Sequence, residues 1–334
     1  MKFAMIGDFH SDTGMGIANR DLKRDLETLY DVSYSKETGI LRRLWELCIL
    51  VLRCDVLVLC SATLMNYPAV WLAQWQKKRY VYLMHGLSTF ENSIEYPPTG
   101  GLLANAFRRY ERFILTHAGR IVCVSGLFGN WIRERFPFCA GKIDYVYNTV
   151  DTAKCEAVLS SSPGRVPGTV LSSGGGKKQK NIRTVAEALE ESGSGFILHV
   201  AGRDFSQGNE IRSHRNVVWH GNMPHDDFLA LLASSALYVQ NSVFESFGIA
   251  VVEALFCGCS ILVSENTGCL PLFRGLRDED IIHDVYDKEE ISRKIRHLMM
   301  YPNNARLREG FSDDLISGEY RVKKLKEIIE SLTT

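Results

Sequence analysis

The chain alternates short β-branched, apolar runs with longer helical patterns, and it does so in two successive series. Strand candidates in the first series are Lys2–Ile6, Val56–Cys60, Tyr80–Met84, Ile121–Val124 and Ile143–Val146. Helical spacing falls between them near Ile17–Tyr30, Thr38–Leu52, Pro68–Gln76, Leu102–Ala118 and Leu127–Phe136. The second series runs Thr169–Ser172, Gly195–Val200, Val217–Trp219, Leu237–Gln240 and Ser260–Val263. Its helical patterns lie near Ile182–Ser192, Asp226–Ala233, Ile249–Phe256 and Lys288–Met299. Continuous apolar strands separated by helices require a parallel sheet covered on both faces. The expected class is therefore α/β, with two Rossmann-like, doubly wound parallel-sheet domains facing each other across a cleft. The predicted division is an N-terminal domain over 1–150, a C-terminal domain over 151–317 and a last amphipathic helix within 318–334. The Ser-, Pro- and Gly-rich stretch Ser160–Gly168 reads as an interdomain linker or an exposed loop.

Composition narrows what such a chain can do. Lys plus Arg and Asp plus Glu both total 39, a formal net charge of zero. Nucleic-acid binders carry a basic excess, so no nucleic-acid partner is expected. Residues 1–151 nonetheless hold 18 basic and 15 acidic residues, a net of +3, which suits an acidic partner or surface. The N-terminal residues lack the charged and apolar regions of a secretory signal. The most apolar stretch, Leu47–Leu64, is interrupted by Arg53 and Asp55 and does not read as a spanning helix. Nine scattered cysteines with no CxxC read as reduced thiols of a cytoplasmic protein.

In doubly wound folds ligands sit beyond the carboxyl ends of the strands. The polar oddities of this chain fall in those places. Glu253 stands inside Ile249–Phe256, where every other residue is apolar. It is either a structural carboxylate paired to a nearby donor or one that holds ligand hydroxyls. Just before it, the amides of Phe247, Gly248 and Ile249 open a helix, a place suited to an anion such as a diphosphate. Ser172–Asn181 sets three glycines ahead of Lys177, Lys178 and Lys180. Cations at a helix start oppose the helix dipole, so this is either a phosphate site or a solvated basic loop. The first strand leads through Asp8 to Thr13, Gly14 and Gly16, a Gly-rich turn onto a helix that lacks the GxGxxG pattern. His85 follows the strand Tyr80–Met84 directly. Asp278-Glu279-Asp280 matches a bare DxD but lies in a highly charged stretch, so it reads as a solvated loop and no metal is assigned. Leu103–Arg120 sets Phe107, Tyr110 and Ile114 on one helix face flanked by Arg108, Arg109 and Arg112. That helix is either an ordinary core helix or one that docks on an anionic membrane.

Together these features resemble the retaining glycosyltransferases of family 4 (group 1), which have the GT-B architecture. Glu245 to Glu253 fits the E-x7-E motif of that family, followed by Ala254, Leu255 and Gly258. Val217–Ser242 is similar to the stretch that precedes it, and Lys180-Asn181 matches the position of a diphosphate-binding lysine. Val200–Asp204 resembles the family's glycine-bearing strand end, with Asp204 in place of the last glycine. His85-Gly86, Val124-Ser125 and Tyr147–Asp151 match landmarks of the first half. One departure stands out, since the family usually places an Arg where this chain has Gly175.

The resemblance implies that Glu253 holds the ribose hydroxyls of a sugar nucleotide and Glu245 the hydroxyls of the donor sugar. It gives the diphosphate to Lys180 and the amides around Gly248, with Gly14 and Gly16 approaching from the first domain; either Lys177 or Lys178 supplies the charge of the absent Arg or the diphosphate is held less tightly. His85 would contact the donor sugar near the reacting carbon, and Asn222 and Met223 are the candidates for a base. The implied co-substrate is a nucleoside diphosphate sugar, UDP or GDP, with no cofactor and no metal. The acceptor would be a glycan or lipid-linked glycan of surface polysaccharide or glycoconjugate synthesis, and the enzyme peripheral at the inner face of the membrane. The final helix would pack back on the N-terminal domain. A GT-B sugar-nucleotide epimerase and a non-catalytic binding subunit are the alternatives.

Overall fold

The computed structural model describes residues 1–11, 14–96 and 102–333, with the side chains of 102–104 and 333 outside the description. It divides into two compact units, Met1–Thr149 with Asp314–Thr334, and Val150–Asp313.

The first unit runs β1 (Lys2–Ile6), α1 (Gly14–Glu27), β2 (Asp31–Tyr34), α2 (Ile40–Arg53), β3 (Val56–Leu59), α3 (Tyr67–Trp75), β4 (Tyr80–Met84), α4 (Ser88–Glu95), α5 (Leu102–His117), β5 (Arg120–Cys123), α6 (Gly126–Arg135) and β6 (Ile143–Tyr145). Its six strands are parallel, in the order β2-β1-β3-β4-β5-β6. Phe3, Met5, Val56, Val58, Val81, Leu83 and Val122 alternate along four strands and bury one sheet face beneath Leu22 and Leu26 of α1. The same cluster takes in Leu325, Ile328, Ile329 and Leu332 near the end of the chain.

The second unit runs α7 (Thr152–Ser161), β7 (Val166–Ser173), α8 (Ile182–Glu191), β8 (Ile197–Ala201), α9 (Gly208–Arg212), β9 (Val217–Gly221), α10 (His225–Ser234), β10 (Ser235–Gln240), α11 (Ile249–Phe256), β11 (Ser260–Ser264), β12 (Ile281–Ile282), α12 (Lys288–Met300) and α13 (Asn304–Glu309). These strands are also parallel, ordered β12-β11-β10-β7-β8-β9. The chain winds from β7 outward to β9, then returns to the other side of β7 with β10. The topological switch therefore falls between β7 and β10, the place beyond the strand ends where sheets of this kind take their ligands. Asp151 caps α7 and Asp287 caps α12, each side chain accepting from first-turn amides of its helix.

The last helix, α14 (Gly318–Thr333), belongs to the first unit. Arg321 Nε donates to Asp25 Oδ2 of α1 at 2.7 Å, and both side chains are buried. Of the stretch Ser160–Gly168 only residues 162–165 form a loop, which joins α7 to β7 inside the second unit rather than one unit to the other, while its ends belong to α7 and β7. β2, β12 and α4 escape the sequence pattern for physical reasons. β2 is an edge strand with no buried residue, β12 has two residues, and α4 buries none.

Candidate functional site

The loops that leave β7 and β10 meet at the switch point of the second unit. After β7 the backbone turns through Gly174 (φ +116°) and Gly175 (φ +59°). A Cβ on Gly175 would lie 1.9 Å from the Arg203 carbonyl, and one on Gly176 would lie 2.5 Å from the Gly208 nitrogen. The amides of Gly174 and Gly175 donate to the Ala201 carbonyl at 2.9 and 3.0 Å. The glycines thus serve close backbone packing between the β7 and β8 loops. That packing accounts for Gly175 where the resembled family carries an Arg, because no side chain fits there. A Cβ on Gly174 would in turn strike the stem of Lys180.

Lys180 closes a short 3-10 turn, Lys178–Lys180, and its ammonium pairs with the Glu245 carboxylate in the loop after β10. Gln240 Nε2 donates to the same carboxylate at 3.2 Å and to Ser242 Oγ at 2.6 Å. Behind Gln240, the Tyr238 hydroxyl donates to its amide oxygen at 2.7 Å, and Ser173 Oγ lies 2.7 Å from that hydroxyl. A polar chain therefore runs from the end of β7 under the ion pair. Burial drives the Tyr238 hydroxyl well above its ordinary value, and the nearby charges of Glu245 and Glu253 add to the rise. The phenol stays neutral and can hold Gln240 in place. Lys177 sits over the Phe205 ring at 5.2 Å, and Lys178 is half-buried in the turn.

Eight residues beyond Glu245, Glu253 projects from α11 and is 6% exposed. His225 Nε2 at the start of α10 lies 2.7 Å from Glu253 Oε1. The hydrogen bond to Glu253 raises the His225 pKa, against the opposing effect of its own burial. Gly248, with φ +96°, turns the chain into α11, and a Cβ there would lie 2.9 Å from Thr267 Cγ2. The buried Phe247 carbonyl accepts from the Cys269 amide at 2.8 Å. The amides of Gly248 and Ile249 make no hydrogen bond among the described residues, as expected of a helix start. Asn222 is exposed and Met223 half-buried in the loop between β9 and α10, and neither side chain makes a hydrogen bond among the described residues. Lys180, Glu245, Gly248 and Glu253 thus lie on the two loops and one helix that flank the β7/β10 switch. His225 and Gln240 complete this set, and sequence reasoning passed over both. Gln240 was hidden as the last residue of an apolar strand, and His225 in the polar start of a helix.

In the first unit, His85 follows β4 and its Nε2 lies 2.8 Å from Asn19 Oδ1. Burial, reinforced by the charge of Arg321, lowers its pKa to about 4, so the ring is neutral near pH 7. Fully buried Asn19 also donates to the Asp8 carbonyl at 2.9 Å. Asp8 accepts from the amides of His10 and Ser11 at 3.0 and 3.1 Å, which closes the turn after β1. A Cβ on Gly16 would lie 2.2 Å from the Ser11 carbonyl, so the glycine lets α1 pack on that turn. Gly14 is the exposed first residue of α1, and Thr13 lies outside the described residues.

In Asp278–Asp280 the expectation of a solvated loop holds for the exposed Asp278 and fails for Asp280. Asp280 is fully buried, with both carboxylate oxygens within 3.0 Å of Arg306 Nη2 and one accepting from Asn303 Nδ2 at 2.7 Å. The Lys294 side chain, also fully buried, donates to the Asp278 carbonyl at 2.8 Å. Asp280 is thus a structural clasp in the second unit. In α5, Tyr110 and Ile114 are buried as a core face requires, whereas Arg108, Arg109 and Arg112 are exposed.

Known proteins share this plan. The sequence model described as Glycosyl transferases group 1 matches residues 165–312, and the model described as Glycosyltransferase Family 4 matches residues 23–154. Glycogen synthase of Mycobacterium tuberculosis is 25% identical over 216 residues, covering 62% of this chain and 51% of that protein. A GDP-Man:Man(3)GlcNAc(2)-PP-Dol alpha-1,2-mannosyltransferase of Caenorhabditis elegans is 24% identical over 207 residues, covering 54% of this chain and 44% of the relative. The chain spans about half the length of these curated relatives. Among solved structures, Anabaena Alr3699/HepE in complex with UDP and glucose superposes with a TM-score of 0.72 at 14% identity, covering 100% of this chain and 99% of the other. Sucrose-phosphate synthase of Thermosynechococcus elongatus gives 0.73 at 16% identity, with 99% of each chain covered.

Proposed function

The chain belongs to the group 1, family 4-type glycosyltransferases of GT-B fold, and from that premise we propose that it moves a hexose-type sugar from a nucleoside diphosphate sugar, UDP- or GDP-linked, to a glycan or lipid-linked acceptor. In this reading the reaction retains anomeric configuration, needs no metal ion, and serves surface polysaccharide or glycoconjugate synthesis. The observation that carries it is the meeting of Lys180 and Glu245 at the β7/β10 switch point, with the start of α11 and Glu253 on the next turns of chain. A sugar nucleotide presents three chemical parts, and the loops offer three kinds of group. The Lys180 ammonium and the amides of Gly248 and Ile249 suit the diphosphate. Glu253, steadied by His225, suits the ribose hydroxyls. Glu245, aligned by Gln240, suits the hydroxyls of the sugar.

The chemistry follows from where charge appears. Breaking the glycosidic bond leaves negative charge on the departing diphosphate and positive character on the sugar ring. A cation and helix-end amides aimed at the diphosphate interact more strongly with the product-like state than with the bound donor, so they lower the barrier. The phosphate oxygen that departs can take the acceptor proton on the same face, which accounts for retention without a nucleophilic carboxylate.

Calorimetric titration with UDP and GDP, followed by nucleotide release from UDP- and GDP-sugars with and without acceptor glycan, tests the reading. One nucleotide should bind, and release should depend on acceptor. A protein that binds neither nucleotide is not this enzyme, and release that ignores acceptor would indicate an epimerase-type reaction instead.

A further inference from the structure

Two neighbouring helices of the first unit carry apolar stripes that nothing among the described residues covers. On α2, Leu41, Trp45 and Leu52 are 83%, 72% and 55% exposed. Their spacing of four and seven residues sets them on one face, opposite Leu47, Leu50 and Val51, which pack inward. On α3, Trp71 and Trp75 are 54% and 70% exposed, four residues apart and opposite the buried Ala69, Val70 and Ala73. The helices lie side by side. Lys78, just past α3, donates to the Val51, Leu52 and Cys54 carbonyls at the end of α2, at 2.5 to 3.0 Å. The two stripes therefore share the outer side of one helical layer, and three exposed tryptophans within thirty-one residues are far more apolar area than isolated surface residues explain.

The charges around this face have a single sign. Residues 40–79 hold six basic and two acidic residues. Both acids are engaged by backbone, since Glu46 accepts from the amides of Lys36 and Glu37 and Asp55 from that of Lys2. Arg42, Arg53, Lys77 and Arg79 are exposed, and their side chains pair with no carboxylate among the described residues. Elsewhere in this net-neutral chain exposed cations such as Arg24, Arg215 and Lys326 do find carboxylates. Unneutralised cations around tryptophans on an amphipathic layer match one chemistry well: acyl chains beneath anionic headgroups. No helix among the described residues is long and apolar enough to cross a membrane, so such a contact would be made from one side.

We propose that the outer face of α2 and α3 docks the protein on an anionic lipid bilayer, with Trp45, Trp71 and Trp75 in the interface and Arg53, Lys77 and Arg79 on the headgroups. The surface lies away from the donor-binding loops in sequence and belongs to the other unit. It deepens the proposed reading by putting the acceptor's lipid where the enzyme sits, although its physical basis does not depend on that reading.

Sedimentation of the full chain with vesicles tests it. Binding to phosphatidylcholine vesicles containing phosphatidylglycerol should exceed binding to pure phosphatidylcholine and weaken as salt is raised. The combined W45S, W71S and W75S variant should bind about tenfold more weakly or worse, and Arg53→Gln with Lys77→Gln and Arg79→Gln should remove the preference for anionic lipid. Circular dichroism melts and nucleotide titration on each variant check that fold and donor site are intact. No vesicle binding, or binding that survives the tryptophan changes, overturns the proposal. So does a dimer in sedimentation equilibrium that the tryptophan changes dissociate, since the face would then meet a second copy. Vesicle binding without nucleotide binding would leave the docking face standing and remove the transferase reading, and the converse would do the reverse.

Discussion

Lys180 and Glu245 lie 65 positions apart in sequence and form one ion pair where the loops after β7 and β10 converge. Both side chains are only partly accessible, at 20% and 13%. Each is therefore the other's principal countercharge until a ligand arrives. In the proposed reading a bound diphosphate replaces Glu245 on the ammonium, and sugar hydroxyls replace Lys180 on the carboxylate.

Lys180→Ala should lower the transfer rate about 10²–10³-fold, the scale seen when one charge-stabilising donor is removed from an active site. Because the pair acts as a unit, the loss in Lys180→Ala with Glu245→Ala should fall well short of the sum of the two single losses. Steady-state rates on the four proteins of the cycle check this, and full additivity would mean the two residues serve separate ends.

Glu253→Gln should weaken nucleoside diphosphate binding by roughly 10–100-fold, the scale of charged hydrogen bonds lost to ribose hydroxyls. Inorganic pyrophosphate lacks the ribose, so its affinity should not change. Titration of both ligands separates this role from a purely structural one, in which melting temperature falls and both affinities stay as they were.

The fold was legible because both sheets are all-parallel and buried, which writes each central strand as a continuous apolar run. Glu253 was legible for the same reason, as one carboxylate in a wholly apolar helix. Its partner His225 was not, since a histidine beside two aspartates at a helix start resembles any solvated first turn. The glycines were seen as turn residues, but not which backbone they approach. Gly16 makes room for the backbone of Ser11 in its own turn, whereas Gly175 makes room for that of Arg203, a distant neighbour that no local pattern announces. Asp280 likewise hid its burial, because Arg306 lies 26 residues on.

The two histidines should tilt the pH dependence in opposite senses. His85 has a folded pKa of about 4, below its ordinary 6.5. Between those values the unfolded chain binds a proton that the folded one does not, so stability falls as pH drops through that window. His225 has a raised folded pKa. Its pairing with Glu253 stabilises fully below pH 6.5 and is lost as pH climbs through the raised value. Melting curves across pH for His85→Gln and His225→Gln check both signs: the first should flatten the limb below pH 6.5 and the second the limb above it.

Gly175→Arg restores the residue usual at this position in the resembled family, yet it should harm this protein. A left-handed φ of +59° alone costs a non-glycine residue about 1–3 kcal/mol. The new Cβ would also meet the Arg203 carbonyl at 1.9 Å, and that oxygen belongs to backbone already hydrogen-bonded to the Gly176 amide at 3.2 Å. The β8 loop would have to move, carrying with it the contact that seats the stem of Lys180 over Gly174. Thermal melts should show a clear loss of stability, and nucleotide affinity should fall rather than rise despite the added cation. A variant of unchanged melting temperature that binds UDP or GDP more tightly would mean that the site lacks charge and that the backbone contact is not what keeps glycine there.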